Sequence, residues 1–152
     1  MAFTIQNVDW EKDKHRLKAL REHVFVLEWQ VPEAIEFDEH DSSACHVLLV
    51  NDENEPIATG RLTKKGELGR IAVKRCHRTL PVYRALFGAL IAAAKQNNLP
   101  IIKVICNLES VSYHQSIGFK PDGHVFMDAG VPRQRLKCPA ERFPLPDVTQ
   151  LH

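Results

Sequence analysis

Two segments of the chain place groups that could do chemistry at the end of a strand. In the first, the predicted strand Glu67–Val73 leads through the loop Lys74–Leu80 into a helix that starts at Pro81. The first backbone N–H groups of a helix have no partner within the helix, and the helix dipole adds positive potential there. The spacing therefore predicts an anion-binding loop.

The second segment follows the next strand along the chain. Ile101–Cys106 is an almost continuous apolar run, which is typical of a strand covered on both faces. A short helix over Glu109–Ile117 then carries Tyr113. A phenol in that position can protonate a leaving group as a general acid. The structural alternative is that the Tyr113 ring packs on the sheet.

Two Cys-His dipeptides suggest a nucleophile with its base, or metal ligands. They are Cys45-His46 and Cys76-His77. Adjacent residues of a strand point to opposite faces, so neither pair is expected to act as a unit, and structural roles are favoured. No CxxC pair is present, which predicts reduced thiols.

Hydrophobic periodicity and turn residues define the elements that must position these groups. The predicted strands are Phe3–Val8, Cys45–Val50, Pro56–Leu62, Glu67–Val73, Ile101–Cys106, Lys120–Met127 and Arg133–Lys137. The clearest predicted helices are Trp10–Leu27, Pro81–Asn97 and Glu109–Ile117. This order predicts one α/β (α+β) domain, in which a mixed central sheet of about six to seven strands is flanked by about four helices.

Composition restricts the function classes. The 152 residues include 20 Lys and Arg against 19 Asp and Glu, and this near balance argues against a nucleic-acid partner. No apolar run approaches the roughly 20 residues of a membrane span, and the N-terminus has no signal-peptide core. We therefore expect a cytoplasmic protein with one domain over residues 3–137. A proline-containing tail, 138–152, is expected to run irregularly over the surface.

Several motifs in matching order resemble the GNAT superfamily of acyl-CoA-dependent N-acyltransferases. They are Gly69-Arg70-Ile71-Ala72-Val73, the Arg78 loop, and the segment that runs from Asn107 through Ser110-Val111-Ser112-Tyr113 to Ile117-Gly118-Phe119. Further residues resemble the ElaA/YjcF-like branch of this superfamily. They are Leu20-Arg21, Val24-Phe25-Val26, Glu28, Gln30-Val31-Pro32, Glu36, Asp38, Asp41, Ala44-Cys45-His46, Phe126 and Ala129-Gly130-Val131-Pro132. The resemblance covers roughly residues 3–137.

The resemblance implies an acetyl-CoA-dependent N-acetyltransferase that requires no metal. The backbone of Ile71, Ala72 and Val73 is expected to contact the pantetheine and the acetyl carbonyl. Asn107 is expected to contact the pantetheine arm. The pyrophosphate is expected to be bound by loop residues, which are Arg78, Thr79, Leu80, Val82 and Tyr83. Tyr113 would protonate the departing thiolate. For Asn107, a helix N-cap is the structural alternative.

The pyrophosphate loop departs from the pattern that the resemblance implies. Close relatives carry Arg-Gly-x-Gly-x-Gly, whereas Thr79, Pro81 and Tyr83 stand where the glycines are expected. Glycine permits close approach to a phosphate, and proline removes a donor. A second function therefore stays open: a non-catalytic GNAT-fold module that binds a ligand or partner through the same cleft.

The acceptor is expected to be a small-molecule or peptide amine. Glu28 and Asp38, in a stretch that also holds Glu36 and Asp41, could bind a cationic amine or include a general base. A solvated acidic loop is the alternative. His46, at the start of a strand that faces this stretch, is the candidate base, against a buried structural histidine. A homodimer stays open.

Overall fold

Strand pairing divides the described part of the chain into two sheets. The computed structural model describes residues 3–29, 37–128 and 130–144. The strands of the first sheet are β1 (Phe3–Val8), β2 (Cys45–Asn51), β3 (Pro56–Leu62) and β4 (Leu68–Val73). They lie in the order β1-β2-β3-β4 and are antiparallel throughout.

The second sheet is built around the last strand of the chain. Its strands are β5 (Ile101–Asn107), β6 (Lys120–Pro121), β7 (Phe126–Asp128) and β8 (Val131–Pro139). Each of the first three pairs antiparallel with β8, which runs along all of β5. β5 therefore has one edge covered by β8 and its other edge directed toward the first sheet.

The two sheets meet at one end of β4 and β5. The Lys103 N–H donates to the carbonyl of Gly66 over 2.8 Å, and Glu67 and Lys103 form a parallel bridge. Within the described ranges, no further ladder joins β4 to β5. The two strands therefore diverge toward their carboxyl ends and leave an opening between the sheets.

One face of the first sheet is covered by α1 (Trp10–Arg21). Asp9 caps this helix, since its Oδ1 accepts the N–H of Glu11 at 2.9 Å. The apolar positions of the helix meet alternate residues of β2, for example Leu17 with Leu48. Packing against the sheet therefore selects the predicted amphipathic face.

The helix continues as a π-helical stretch, Glu22–Glu28. The stretch closes with a hydrogen bond of 3.0 Å from the N–H of Trp29 to the carbonyl of Val24. The predicted helix Trp10–Leu27 thus has nearly correct bounds, but its last turns are wider than periodicity can indicate. π-Helical turns are frequent at functional sites.

The other face of the first sheet is covered by α2 (Leu80–Gln96). Its buried side chains include Leu86 and Leu90. The third helix, α3 (Val111–Ser116), follows a 3-10 turn at Leu108–Ser110. Of the helices that the structure describes, none is long and apolar enough to cross a membrane.

A β-bulge interrupts β4. Thr59 of β3 pairs with Ala72, but Arg61 pairs with Gly69, so the two residues between these partners on β4 oppose the single residue Gly60. Arg70, one of the two, has a φ of 50°, in the left-handed region that L-residues rarely adopt. The bulge thus re-aims the Arg70 side chain beside the opening.

The predicted mixed α+β class is confirmed, with eight strands among the described residues in place of six to seven. The predicted strand Lys120–Met127 is split into β6 and β7. The predicted strand Arg133–Lys137 is longer at both ends, because β5 supplies register partners as far as Pro139.

The start of the predicted tail requires a correction. Cys138 lies within β8 and is 1% exposed, and a 3-10 turn follows at Ala140–Arg142. The irregular surface course predicted from Cys138 onward is therefore wrong for residues 138–144. The remainder of the predicted tail, 145–152, lies outside the described residues.

Close packing of α2 on β3 predicts that Gly60→Ala destabilises the fold. A Cβ at Gly60 would lie 2.6 Å from Leu90 Cδ1 and 2.9 Å from Ile71 Cδ1. Overpacking of this kind costs about 1–3 kcal/mol, measured as a decrease in the free energy of unfolding in urea.

Gly88→Ala is the matched control, because a Cβ at this α2 position meets nothing within 4 Å. Because alanine has a higher helix propensity than glycine, this variant should leave the free energy of unfolding unchanged or raise it by up to about 1 kcal/mol. Equal stability of both variants would contradict the close-packing argument.

Candidate functional site

The opening between β4 and β5 forms a cleft of about 1400 Å³. On the α2 side it is lined by side chains from α2, β5 and α3, among them Phe87, Val104 and Tyr113. On the α1 side its lining includes Trp29 and Arg61. The cleft thus runs from one face of the sheet to the other, past the bulge of β4.

A row of rings forms the apolar wall of the cleft. Phe143 stacks on Phe87 at 6.0 Å and meets Phe119 edge-on at 5.6 Å between ring centroids. The row continues from Phe119 to His114 at 5.5 Å and from His114 to Tyr113 at 5.6 Å. Phe143 lies in the corrected tail segment and was not predicted as a site residue, because the strand before it was predicted to end at Lys137 and continues to Pro139.

Tyr113 lies on α3, lines the cleft and is 40% exposed. The next residue, His114, is held by a contact of 2.8 Å between its Nδ1 and the carbonyl of Ser110, which makes Nδ1 the donor nitrogen. This bond and the edge-on ring contact fix the side of α3 from which the phenol extends. The structure therefore brings Tyr113 to the same cleft as β4.

The predicted cofactor strand forms one edge of the cleft. Ile71 lines the cleft, whereas the side chains of Ala72 and Val73 are buried. β4 pairs with β3 along one edge only, so its other edge carries backbone groups that can pair with an extended ligand. This arrangement suits backbone recognition, which needs no particular side chains.

The predicted pyrophosphate loop contains few backbone donors. α2 begins at Leu80 after the N-cap Thr79, and the N–H of Tyr83 already bonds the carbonyl of Thr79 at 3.1 Å. Pro81 has no N–H. The helix N-terminus therefore offers the N–H groups of Leu80 and Val82.

The Arg78 side chain bridges three parts of the site. Its Nε donates to the carbonyl of Val73 at 3.0 Å, and its Nη2 donates to Glu28 Oε2 at 2.7 Å. The guanidinium also lies over the Trp29 ring, 5.7 Å from its centroid. The loop is thus tied to the π-helical stretch that ends at Glu28.

The contact with Arg78 favours the ionised form of Glu28. The hydrogen bond from Arg78 holds the pKa of Glu28 below its ordinary value, and the same bond raises the pKa of Arg78. Glu28, predicted to bind a cationic acceptor, is therefore engaged with a cation of the chain itself. Its predicted role stays a prediction.

Asp38 and Asp41 lie in a network of arginines beside the cleft. Arg21 Nη1 bonds Asp41 Oδ1 at 2.7 Å, and Arg61 Nη1 bonds Asp41 Oδ1 at 3.0 Å and Asp38 Oδ1 at 2.8 Å. Arg70 Nη2 completes the chain at 3.0 Å from Asp38 Oδ2. The partners are 20 to 32 residues apart, so sequence patterns did not reveal them.

The network keeps both carboxylates ionised. Burial raises the pKa of each, but the hydrogen bonds and charges of the arginines outweigh burial, and the pKa values of Asp38 and Asp41 lie below the ordinary value. The segment that holds Asp38 and Asp41 is therefore held by hydrogen bonds, in contrast to the solvated-loop alternative, whereas Glu36 lies outside the described residues.

His46 is not among the described residues that line the cleft. It is 2% exposed, stacks on Trp10 at 5.1 Å, and its Nε2 donates to the carbonyl of Asp41 at 2.8 Å. Burial lowers its pKa. This position matches the structural alternative for His46, and the site proposed below does not include it as a base.

Asn107 holds another side chain of the cleft. Its Oδ1 accepts from Arg133 Nη1 at 2.6 Å, and it makes no side-chain capping bond to the 3-10 turn that follows. Arg133 itself lines the cleft. Asn107 therefore lies at the carboxyl end of β5 as a positioning residue, and a contact with pantetheine stays a prediction. No group of three or more His, Cys, Asp or Glu side chains in the described ranges could hold a metal ion.

Comparison with known proteins identifies relatives over most of the chain. The model of a family described as "Acetyltransferase (GNAT) domain" matches residues 11–139. Two Bacillus subtilis (strain 168) proteins are each 30% identical to this chain. The uncharacterized protein YyaT matches over 84% of this chain and 90% of its own length, and the uncharacterized N-acetyltransferase YjcF matches over 82% of this chain and 94% of its own length. The crystal structure of Escherichia coli ElaA superposes with a TM-score of 0.72 and 21% identity over 90% of this chain and 99% of its own.

The arginine–aspartate network predicts a large loss of stability for Asp41→Asn. Removing one partner of a buried ion pair leaves Arg21 poorly compensated and costs about 3–5 kcal/mol in the free energy of unfolding. Asp13→Asn, which breaks the more exposed pair with Arg16 (3.4 Å), is the control and should cost less than about 1 kcal/mol.

The lowered pKa values also predict acid sensitivity. A depressed carboxylate pKa contributes stability above the unfolded-state value of about 3.9, and this contribution is lost as pH falls through the native value. Wild type should therefore lose more stability than Asp41→Asn between about pH 5 and the native pKa of Asp41. Parallel stability–pH curves would contradict the role of this carboxylate.

Proposed function

We propose that this chain, which belongs to the GNAT acetyltransferase family and is an N-acyltransferase, transfers an acetyl group from acetyl-CoA to an amine. The observation that carries the proposal is the splay of β4 from β5 with Tyr113 beside it. An extended acyl-pantetheine arm can pair with the open edge of β4 as an added strand would. Ile71, Ala72 and Val73 would supply the backbone groups.

The pyrophosphate would be held by a mixture of backbone and side-chain donors. The N–H groups of Leu80 and Val82 at the N-terminus of α2 would donate to the phosphate oxygens, and the Arg78 guanidinium would add charged donors. Charge-assisted bonds are individually stronger than neutral ones, and can replace the donor lost at Pro81 and the close backbone approach that glycines would allow at Thr79 and Tyr83. On binding, Arg78 would exchange its hydrogen bond to Glu28 for one to the phosphate.

The reaction needs one proton donor at the sulfur. The acceptor nitrogen attacks the thioester carbonyl, the C–N bond forms, and the C–S bond breaks with its electron pair on sulfur. The Tyr113 phenol gives its proton to this thiolate, and the proton lost by the amine passes to solvent. The phenol is then restored from solvent, to which Tyr113 is 40% exposed.

One observation favours a second function. Arg78 is bonded to Glu28, and the first turn of α2 contains Pro81, so the loop offers fewer phosphate donors than a glycine-rich one. A non-catalytic module that uses the same cleft for another ligand is the outcome if acetyl-CoA does not bind. The following experiments separate the two functions.

Acetyl-CoA is expected to stabilise the fold. At about 100 times its Kd, a ligand that binds only the native state adds about 2.7 kcal/mol. The Tm of a chain of this size should then rise by several degrees, at about 2–4 °C per kcal/mol. Binding should weaken as salt is raised, because a charged side chain replaces backbone donors. The absence of any Tm shift at millimolar acetyl-CoA would exclude the enzyme function.

Arg78→Ala and Glu28→Gln form a matched pair for this test. Arg78→Ala removes a charge-assisted contact and should weaken acetyl-CoA binding by about tenfold or more, by calorimetry. Glu28→Gln removes the competing carboxylate and should leave affinity unchanged or raise it. Equal weakening by both variants would indicate that the Arg78–Glu28 pair is needed only to shape the loop.

Tyr113→Phe is expected to lower kcat by about 10²–10⁴-fold, because the ring stays but the acidic proton is lost. The measurement is thiol release with any accepted amine. The Tm and the Kd for acetyl-CoA should match wild type, which separates chemistry from folding and binding. An unchanged kcat would refute the assignment of Tyr113.

A further inference from the structure

The α1 side of the cleft contains an open space over Gly69. This residue lines the cleft, and a Cβ built on it would meet nothing within 4 Å. Gly69 is also outside the positive-φ region, so neither crowding nor conformation requires a glycine there. Gly60 on the neighbouring strand is the opposite case, since packing leaves no room for a side chain. The space over Gly69 therefore needs an explanation other than packing.

Two guanidinium groups border this space. Arg61 is the register partner of Gly69 across β3 and β4, and the side chains of paired residues stand on the same face of a sheet. Arg70, the next residue of β4, is re-aimed by the bulge and bonds Asp38. Both arginines line the cleft. The wall of the space is therefore cationic.

Asp38 does not make this wall a site for a cation. Its Oδ1 accepts from Arg61 Nη1 at 2.8 Å and from the His40 N–H at 2.9 Å, and its Oδ2 accepts from Arg70 Nη2 at 3.0 Å. Both carboxylate oxygens are thus engaged by donors of the chain. An ammonium group in this space would therefore meet two guanidinium groups, and each carboxylate oxygen of Asp38 already accepts a hydrogen bond.

Arg61 retains a donor for an oxygen ligand. Its side chain is 4% exposed, and its Nε is buried with no hydrogen-bond partner among the residues that the structure describes. A buried donor without an acceptor costs free energy, so a rearrangement of the Arg61 side chain that brings this nitrogen to a ligand oxygen is favoured. The planar guanidinium fork matches a carboxylate in shape and charge.

We propose that the acceptor amine carries a carboxylate, as an amino acid does, and that this carboxylate binds over Gly69 against Arg61 and Arg70. The inference rests on the proposed function. The amine then attacks the acyl carbon, so that an ammonium acceptor and acetyl-CoA give the N-acetyl product, CoA thiol and one proton. The cationic wall also favours the neutral amine, which is the nucleophilic form.

Matched acceptor pairs test the carboxylate. A panel of L-amino acids and the corresponding amino acid amides is assayed with acetyl-CoA by thiol release, and kcat/KM is compared per neutral amine. Loss of a charge-assisted contact should reduce kcat/KM for the amide by about 10- to 100-fold. Equal use of both members of a pair, or turnover of amides alone, would overturn the inference.

Gly69→Val tests the place of binding. The valine fills the space without meeting another atom at its Cβ, so Tm and acetyl-CoA affinity should match wild type while KM for the amino acid rises at least tenfold. Gly88→Ala, at a glycine with equal room that does not line the cleft, should keep the wild-type KM.

An unchanged KM in Gly69→Val would overturn the assigned place. If acetyl-CoA binds but no amino acid is acetylated or raises Tm further, the inference fails and the proposed function stands. If acetyl-CoA does not bind, both fail.

Discussion

The opening between the two sheets depends on one close backbone contact. Gly66 accepts the Lys103 N–H at 2.8 Å, and a Cβ at Gly66 would lie 2.5 Å from the carbonyl oxygen of Ile101. The φ of Gly66 is also 86°, so both its conformation and its surroundings require glycine. Because β4 and β5 are joined here and not at their carboxyl ends, the open edge of β4, the approach to Tyr113 and the space over Gly69 all follow from this junction.

The arginine–aspartate network determines the shape of the cleft on its other side. Burying ionised groups is costly, and a well-packed apolar cluster would stabilise a fold at least as well. Unlike an apolar cluster, the network makes directional bonds from three elements to the same short segment around Asp38 and Asp41. The three arginines are Arg21 of α1, Arg61 of β3 and Arg70 of the β4 bulge. It thereby fixes the directions of two guanidinium groups at the cleft wall. Strain at Arg70 and a buried charge network together are typical of a site in which geometry is kept at the expense of stability.

Periodicity and turn residues predict most elements within a few residues, because burial leaves a continuous apolar run in β2, which is covered on both faces, and a helical period of apolar residues in α1 and α2. The bulge leaves no such pattern, since one of its two residues, Arg70, is polar and the preceding Gly69 has no side chain, so the extra residue disturbs no apolar alternation. Long-range pairs are equally hidden: nothing near Glu28 in the sequence indicates Arg78, 50 residues away. Tyr113 was found from its place after β5, whereas Phe143 was missed because the strand before it was predicted to end too early.

The loop from Arg78 to Tyr83 carries, in place of glycines, residues that restrict the conformational freedom of its backbone. Pro81 fixes the first turn of α2, and Arg78 is held by the Val73 carbonyl, by Glu28 and by the Trp29 ring before any ligand arrives. A glycine-rich loop has several donors but must be ordered on binding, whereas this loop has fewer donors that are already in place. Glu28 opposes binding by competition, yet the bond of Arg78 to the Val73 carbonyl uses Nε and not Nη2. A phosphate could therefore replace Glu28 at that nitrogen while the rest of the guanidinium stays where it is.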